Sequence, residues 1–239
     1  MKKNNDLFVC AVLEKRLLVM CIVFAVFLFI MIGMSEFNTK KTDELIQKSA
    51  STRYYENVVA ITFDDGPHRD NTTALLDGLK ERGVVATFFV VGERINGNED
   101  IIKRMYEEGH VIGNHTFSHV KLDEMELSEA CEEIKKTNRL LEEITGEKTK
   151  YIRPPYGAFN EKMECNIDMT EVLWSVDPCD WNTKNVRSVV KNVVANVKDG
   201  DIILLHDIYE TSVAAALEII DELKNKGFYF VTIEDILIQ

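Results

Sequence analysis

From Asn57 to its end this 239-residue chain alternates short apolar runs, rich in β-branched and aromatic residues, with amphipathic segments. No other feature limits its possible folds as much. VVAITF (58–63) reads as a buried strand that stops at the turn signal DDGP. Asn71–Arg82 then repeats Leu75, Leu76 and Leu79 at helical spacing, with Gly83 as the stop. VVATFFVVG (84–92) is expected as a second strand, Asp100–Glu108 as a helix ending at Gly109, and HVIGNH (110–115) as the edge of a third strand. Ser128–Ile144 has the clearest helical period, with Ser128 as its expected cap and Gly146 beyond its end. YIRPPYG (151–157) reads as a strand entering a rigid turn. Further strands are expected at VLWSV (172–176), DIILLH (201–206) and FYFVTI (228–233), with helices over Val186–Val197 and Val213–Lys226. Roughly seven strands alternating with helices imply a parallel sheet covered by helices, either open or closed into a barrel.

The N-terminal part has a different character. Leu17–Met34 (LLVMCIVFAVFLFIMIGM) carries no charge over 18 residues, which as an α-helix nearly spans a hydrocarbon core. No face of it is polar, which argues against a core helix. A cleaved signal peptide would have a shorter run, about 7–15 residues, ending in small residues. This run ends in GMSEF without an A-x-A site. The expected organisation is therefore a short cytoplasmic tail (1–16), a transmembrane anchor (17–34), a polar stalk (35–55) and a folded domain (56–239). Lys2, Lys3, Lys15 and Arg16 before the anchor favour an N-in orientation, but Lys40, Lys41, Lys48 and Arg53 after it weaken that vote. With a single-pass anchor of this orientation the domain is expected at the cell membrane, outside the cell.

The chain's net charge of −12 lies beyond the anchor, since residues 1–34 hold four cations against two anions. So acidic a domain repels a phosphate backbone, and nucleic acid is not an expected partner. Cys131, Cys165 and Cys179 follow the anchor, while Cys10 and Cys21 lie before or within it. No CxxC pair is present, so zinc-ribbon and thioredoxin-like sites have no support. Three is an odd number, so at least one of those thiols is free or pairs between chains. Disulfides are not expected as the framework of the fold.

The unusual residues follow the expected strands, where loops of a barrel converge on one face. In TFDDGP, Asp64 and Asp65 end the first strand, and a turn at Gly66–Pro67 can bring both carboxylates to one cavity. Close carboxylates raise each other's pKa, and a cation on one leaves the other free as a base. In HTFSH, His115 and His119 stand four apart, a spacing that a helical turn places on one face. Asp65, His115 and His119 together make a set suited to zinc or another borderline divalent ion, with coordination positions left open for catalysis. In RPPYG, Arg153 can pair with a carboxylate, and the prolines leave the amide of Tyr156 as the next donor for an oxyanion. His206, at the end of IILLH, is a natural general acid, and Asp177, Asp180 and Trp181 of DPCDW are placed to orient it and wall the pocket. His68 and His110 have no such setting and are read as bystanders.

TFDDGP, HTFSH, RPPYG, DPCDW and LLHD, in this order, resemble the motifs of the NodB homology domain of polysaccharide deacetylases, carbohydrate esterase family 4. The resemblance covers about residues 55–239 and ends in GFYFVTIEDIL. It implies a distorted (β/α) barrel and removal of N-acetyl groups from an amino-sugar polymer such as peptidoglycan or a chitin-like glycan. It further implies Asp65, His115 and His119 as the metal triad, Asp64 as base paired with Arg153, and His206 as acid tuned by Asp180. The Tyr156 amide would serve the oxyanion. Trp181 and Leu205 resemble residues that bound the acetyl pocket, and Pro154 is placed with them at the substrate. The metal is expected to be zinc, with cobalt, manganese or nickel as alternatives. An O-acetyl esterase on a glycan such as acetyl-xylan, or a glycan-binding pseudoenzyme, would carry the same fold.

Overall fold

Parallel strands pair into one curled sheet in the order β5-β4-β3-β2-β1-β6, with β7 paired to β1. They are β1 (Val58–Asp64), β2 (Thr87–Val90), β3 (Val111–Asn114), β4 (Tyr151–Ile152), β5 (Thr170–Glu171), β6 (Asp201–His206) and β7 (Tyr229–Val231). The helices between them are α1 (Asn71–Arg82), α2 (Glu99–Glu107), α3 (Leu127–Thr145), α4 (Val186–Asn196), α5 (Glu210–Asn225) and α6 (Ile233–Leu237). This computed structural model describes residues 56–158, 165 and 168–238. The expected tail, anchor and stalk at 1–16, 17–34 and 35–55 lie outside the described residues. Among the described residues no helix is long and apolar enough to cross a membrane.

β1 is buried along its whole length because it sits in the middle of the sheet. β6 takes one edge of it, from Val59 to Asp64. The opposite edge is shared, β7 pairing with Val58–Ala60 and β2 with Thr62–Asp64. Covered on both faces, such a strand reads as an unbroken apolar run, as VVAITF does. The leucines of α1 fill one face of this core, since Leu75, Leu76 and Leu79 are fully buried beside Phe63, Phe88 and Ile219. Each such leucine contributes about 1.5–3 kcal/mol through burial. The Gly83 stop is present, in the left-handed conformation at φ 61° that favours glycine.

The structure departs from the sequence expectations at three places. VLWSV is not a strand. β5 ends at Glu171; beyond it Val172 still donates to Ile152 of β4, and Ser175 and Val176 reach β6 through bonds to Ile202 and Leu204 and a single bridge between Val176 and Ile203. The reason is Arg153, whose guanidinium donates to the carbonyls of Val172 (3.0 Å) and Leu173 (3.1 Å). A side chain thus stands where a strand ladder would close the barrel. The second departure is the cap of α3. The chain leaves a 3-10 turn at Leu122–Glu124 in an extended conformation, so Glu126 takes the cap position and Ser128 falls within the first turn. Third, HTFSH forms no helical turn, because Thr116 and His119 both adopt positive φ (64° and 54°). Among the described residues one disulfide is present, joining Cys131 of α3 to Cys165, and Cys179 is free and exposed, in keeping with the odd count of thiols beyond residue 34. The two cysteines meet because Ala130 and Ile134 pack with Ile152 in a small cluster that Cys165 covers.

Candidate active site

The expected motifs converge at the C-terminal ends of the strands, the face on which barrel enzymes assemble their sites. Strand register makes Asp64 of β1 the direct neighbour of His206 of β6. One step back in the same pairing, Phe63 meets Leu205, and both are buried in the main hydrophobic core. Asp65 leaves the strand in the left-handed conformation, φ 74°, ahead of a cis Gly66–Pro67 bond. That change of direction turns its carboxylate to the side occupied by the histidines.

Asp64 is 3% exposed and needs a counter-charge. Arg153 supplies it from the end of β4, with Nη1 donating to Asp64 Oδ1 at 2.8 Å and to Thr62 Oγ1 at 2.7 Å. The guanidinium is entirely buried and lies 4.2 Å from the centre of the Phe89 ring. Burial pulls the pKa of Arg153 down, and the Asp64 charge and hydrogen bond oppose that pull. Arg153 is thereby spent wholly on protein partners, with Asp64 as its counter-charge.

His115 is turned by its backbone partner. Its Nδ1 lies 2.6 Å from the carbonyl of Arg153, which can only accept, so Nδ1 carries the proton and Nε2 is left as a lone-pair donor. That Nε2 faces Asp65 Oδ1 at 3.5 Å, and His119 Nε2 faces the same oxygen at 3.1 Å. The His119 approach is out of line for a hydrogen bond, and Asp65 Oδ1 is buried with no hydrogen-bond partner among the described residues. Burial pushes the Asp65 carboxyl up, but the nearby His119 and the charges of His115 and His119 bring it down to about 2. Three ligand atoms lie within 4.8 Å of one another around an oxygen left without a partner. This arrangement fits a divalent ion better than a hydrogen-bond network.

The loop carrying both histidines is fastened from two sides. The amides of Gly92 and Glu93, after β2, donate to the carbonyls of Thr116 (3.0 Å) and Phe117 (2.8 Å). From α3, the Glu133 carboxylate accepts from Phe117 N (3.0 Å), Ser118 N (2.8 Å) and Ser118 Oγ (2.8 Å). Asn114 Oδ1 takes the Thr116 amide at 2.7 Å.

Across the site, Asp180 is 2% exposed and spends both oxygens on His206, Oδ2 on its amide (2.9 Å) and Oδ1 on its Nδ1 (2.8 Å). Burial alone would lower the His206 pKa, but Asp180 and the charges of Asp64 and Asp65 outweigh it and raise the imidazole to about 9. His206 is therefore held as a cation with Nε2 directed away from Asp180. Asp177 does not orient it as expected, because its Oδ1 accepts the Cys179 amide and shapes the DPCDW loop instead. Trp181 is exposed at the rim. Tyr156, also exposed, has φ 62°, and its ring lies 5.0 Å from that of His119. Pro154 and Pro155 are buried beneath it.

His68 and His110 are structural, as expected. His68 Nδ1 accepts the Asn71 amide at the start of α1, and His110 Nδ1 accepts the Ala86 amide. Thr62, Asn114 and Glu133 were not legible as site residues. Only their contacts with Arg153 and the histidine loop reveal them.

The polysaccharide deacetylase family model matches residues 52–169. The chain is 41% identical over 187 residues to a peptidoglycan-N-acetylglucosamine deacetylase of Bacillus cereus, a match that covers 75% of this chain and 68% of that protein. The chain belongs to the polysaccharide deacetylase family. It is also 40% identical to the peptidoglycan-N-acetylmuramic acid deacetylase PdaC of Bacillus subtilis over 181 residues, 76% of this chain but 39% of that longer relative. The solved structure of PdaC superposes with a TM-score of 0.74 at 40% identity, covering 77% of this chain and 91% of that structure. The expected NodB-like fold is thus present, as a curled parallel sheet wrapped by helices.

Proposed function

We propose that this chain is a metal-dependent hydrolase that removes N-acetyl groups from the amino sugars of peptidoglycan, acting outside the cell from a membrane anchor at residues 17–34. The observation that carries the chemistry is the pairing of Asp64 with His206 across β1 and β6, each with its own buried partner of opposite charge. Relatives named as peptidoglycan deacetylases, similar over about three-quarters of this chain, support the substrate class. The Cys131–Cys165 disulfide supports an oxidising, extracellular setting for the domain.

Asp65, His115 and His119 would hold the ion, with zinc best matched by the two imidazoles and cobalt, manganese or nickel as alternatives. A bound divalent ion supplies a Lewis acid that polarises the acetamide carbonyl and favours ionisation of water. Asp64, paired with Arg153, takes the proton of the attacking water. Attack on the carbonyl carbon builds a tetrahedral oxyanion, to which the Tyr156 amide is the proposed donor. His206 then passes the proton on its Nε2 to the leaving nitrogen, the C–N bond breaks, and acetate and a free amino sugar remain. Leu205 beneath and Trp181 and Pro154 at the sides are proposed to bound the acetyl group.

An acetate-release panel of peptidoglycan, chitin oligomers and acetyl-xylan, with and without chelator, tests this reading. Release from peptidoglycan that the chelator abolishes is the expected result. Release from acetyl-xylan alone would replace it with an O-acetyl esterase, and glycan binding without turnover with a pseudoenzyme. Asp64→Asn and His206→Asn, each checked for folding, are expected to lose activity, and full activity in either overturns the mechanism. Protease accessibility of the domain on intact cells tests its placement.

A further inference from the structure

Asp207 has no task in this reaction, yet it is 1% exposed and lies directly behind the carboxylate turn. Its amide donates to the carbonyl of Asp64 at 3.4 Å. Its Oδ2 accepts from Thr72 Oγ1 at 2.5 Å, and its Oδ1 is buried without a hydrogen-bond partner among the described residues. Thr72 Oγ1 in turn accepts the amide of His68 at 2.8 Å. Between these two ties, the α-carbon of Gly66 rests against the Asp207 carboxyl so closely that a Cβ there would overlap it. The turn from Asp64 to His68 is thus held at its start by the Asp207 amide, and at its middle and end by the side chains of Asp207 and Thr72. Within that turn Asp65 keeps a left-handed conformation that a non-glycine residue adopts only when its surroundings impose it.

We propose that Asp207, together with Thr72, is a positioning residue that sets the backbone of the Asp64–His68 turn and so aims the carboxylates of Asp64 and Asp65. The proposal rests on the roles given above to those two carboxylates. Asp207 acts through its shape and its acceptor rather than its charge. Burial pushes its carboxyl up to about 7 against the opposing Thr72 bond, and no cation pairs with it among the described residues. Asp207→Asn keeps both the volume and an acceptor for Thr72, whereas Asp207→Ala removes them. Thr72→Ser keeps the hydroxyl, whereas the isosteric Thr72→Val removes it.

The test uses these four variants of the full chain and three measurements. These are kcat and KM for acetate release from peptidoglycan, zinc affinity by competition with a chromogenic chelator, and the absorption spectrum of the cobalt-loaded protein. Misplacement of a reacting group by about 1 Å costs on the order of 10²-fold in rate. Asp207→Ala and Thr72→Val are therefore expected to lose about that much in kcat with KM little changed. They should also bind zinc about 10–100-fold more weakly, with an altered cobalt spectrum. Asp207→Asn and Thr72→Ser should stay close to the unmodified chain in all three. If Asp207→Ala does not fold, Thr72→Val decides the matter. Unchanged kcat, zinc affinity and spectrum in Thr72→Val overturn the proposal, as does Asp207→Asn behaving like Asp207→Ala. Should the unmodified chain release no acetate, the reading of the reaction fails, while zinc affinity and the cobalt spectrum still decide the positioning role.

Discussion

Asp64 and His206 take their positions from the sheet, whereas His115 and His119 take theirs from a loop that other residues hold in place. On the carboxylate side, six registered residue pairs join β1 to β6, and the charges that follow are each matched by a buried partner. On the histidine side, Thr116 and His119 sit in left-handed conformations, each costing on the order of 1–3 kcal/mol. The amides after β2, the Asn114 side chain and the carboxylate of Glu133 offset that cost. Asp64 and His206 are thus part of the fold's own ladder, while His115 and His119 depend on a few individual bonds. Mutations on the two sides should fail differently.

The largest effect is expected from Arg153→Met. It leaves Asp64 as an unpaired buried charge and should cost about 3–5 kcal/mol of stability together with activity. Denaturant unfolding measures it, and a loss below about 1 kcal/mol, the range of exposed pairs, would show that the carboxylate side does not depend on the ion pair. Next in size is the His206–Asp180 pair. Because the folded imidazole titrates near 9 against 6.5 when free, its contribution is complete below pH 6.5. That contribution is lost as pH rises through about 9, and amounts to roughly 3 kcal/mol. NMR titration of the metal-free protein should give this value, and Asp180→Asn should return it toward 6.5. The smallest expected change in stability comes from Glu133→Gln. It should weaken zinc binding by about 10–100-fold while leaving unfolding almost unchanged. A stability loss as large as that of Arg153→Met would erase the contrast between the two sides.

Much of the carboxylate side was legible in the sequence because a parallel strand ends where its apolar run ends. VVAITF and DIILL therefore placed Asp64 and His206 at matched strand ends. The order of the five motifs then marked Asp65, His115, His119, Arg153 and Asp180. The histidine loop was not legible in its form, since a spacing of four suggests a helical turn and nothing local announces left-handed residues at Thr116 and His119. Glu133 escaped notice for a related reason. It sits on the polar face of α3, where a glutamate looks like any solvated charge, and its partners are 15 and 16 residues away. VLWSV was misread because its composition favours a strand while Arg153 occupies its carbonyls. Asp177 was misread because an aspartate two residues before an amide can serve that amide first.

The guanidinium that stands in for the missing ladder between β5 and β6 has an evolutionary consequence. Arg153 completes the wall only while Asp64 neutralises it, so a lineage that abandoned the base would leave a buried cation in the seam of its own barrel. The burial of this ion pair therefore predicts that the two residues are retained together. Drift toward a silent glycan binder on this scaffold would have to begin by rebuilding the seam, before any change at the metal ligands.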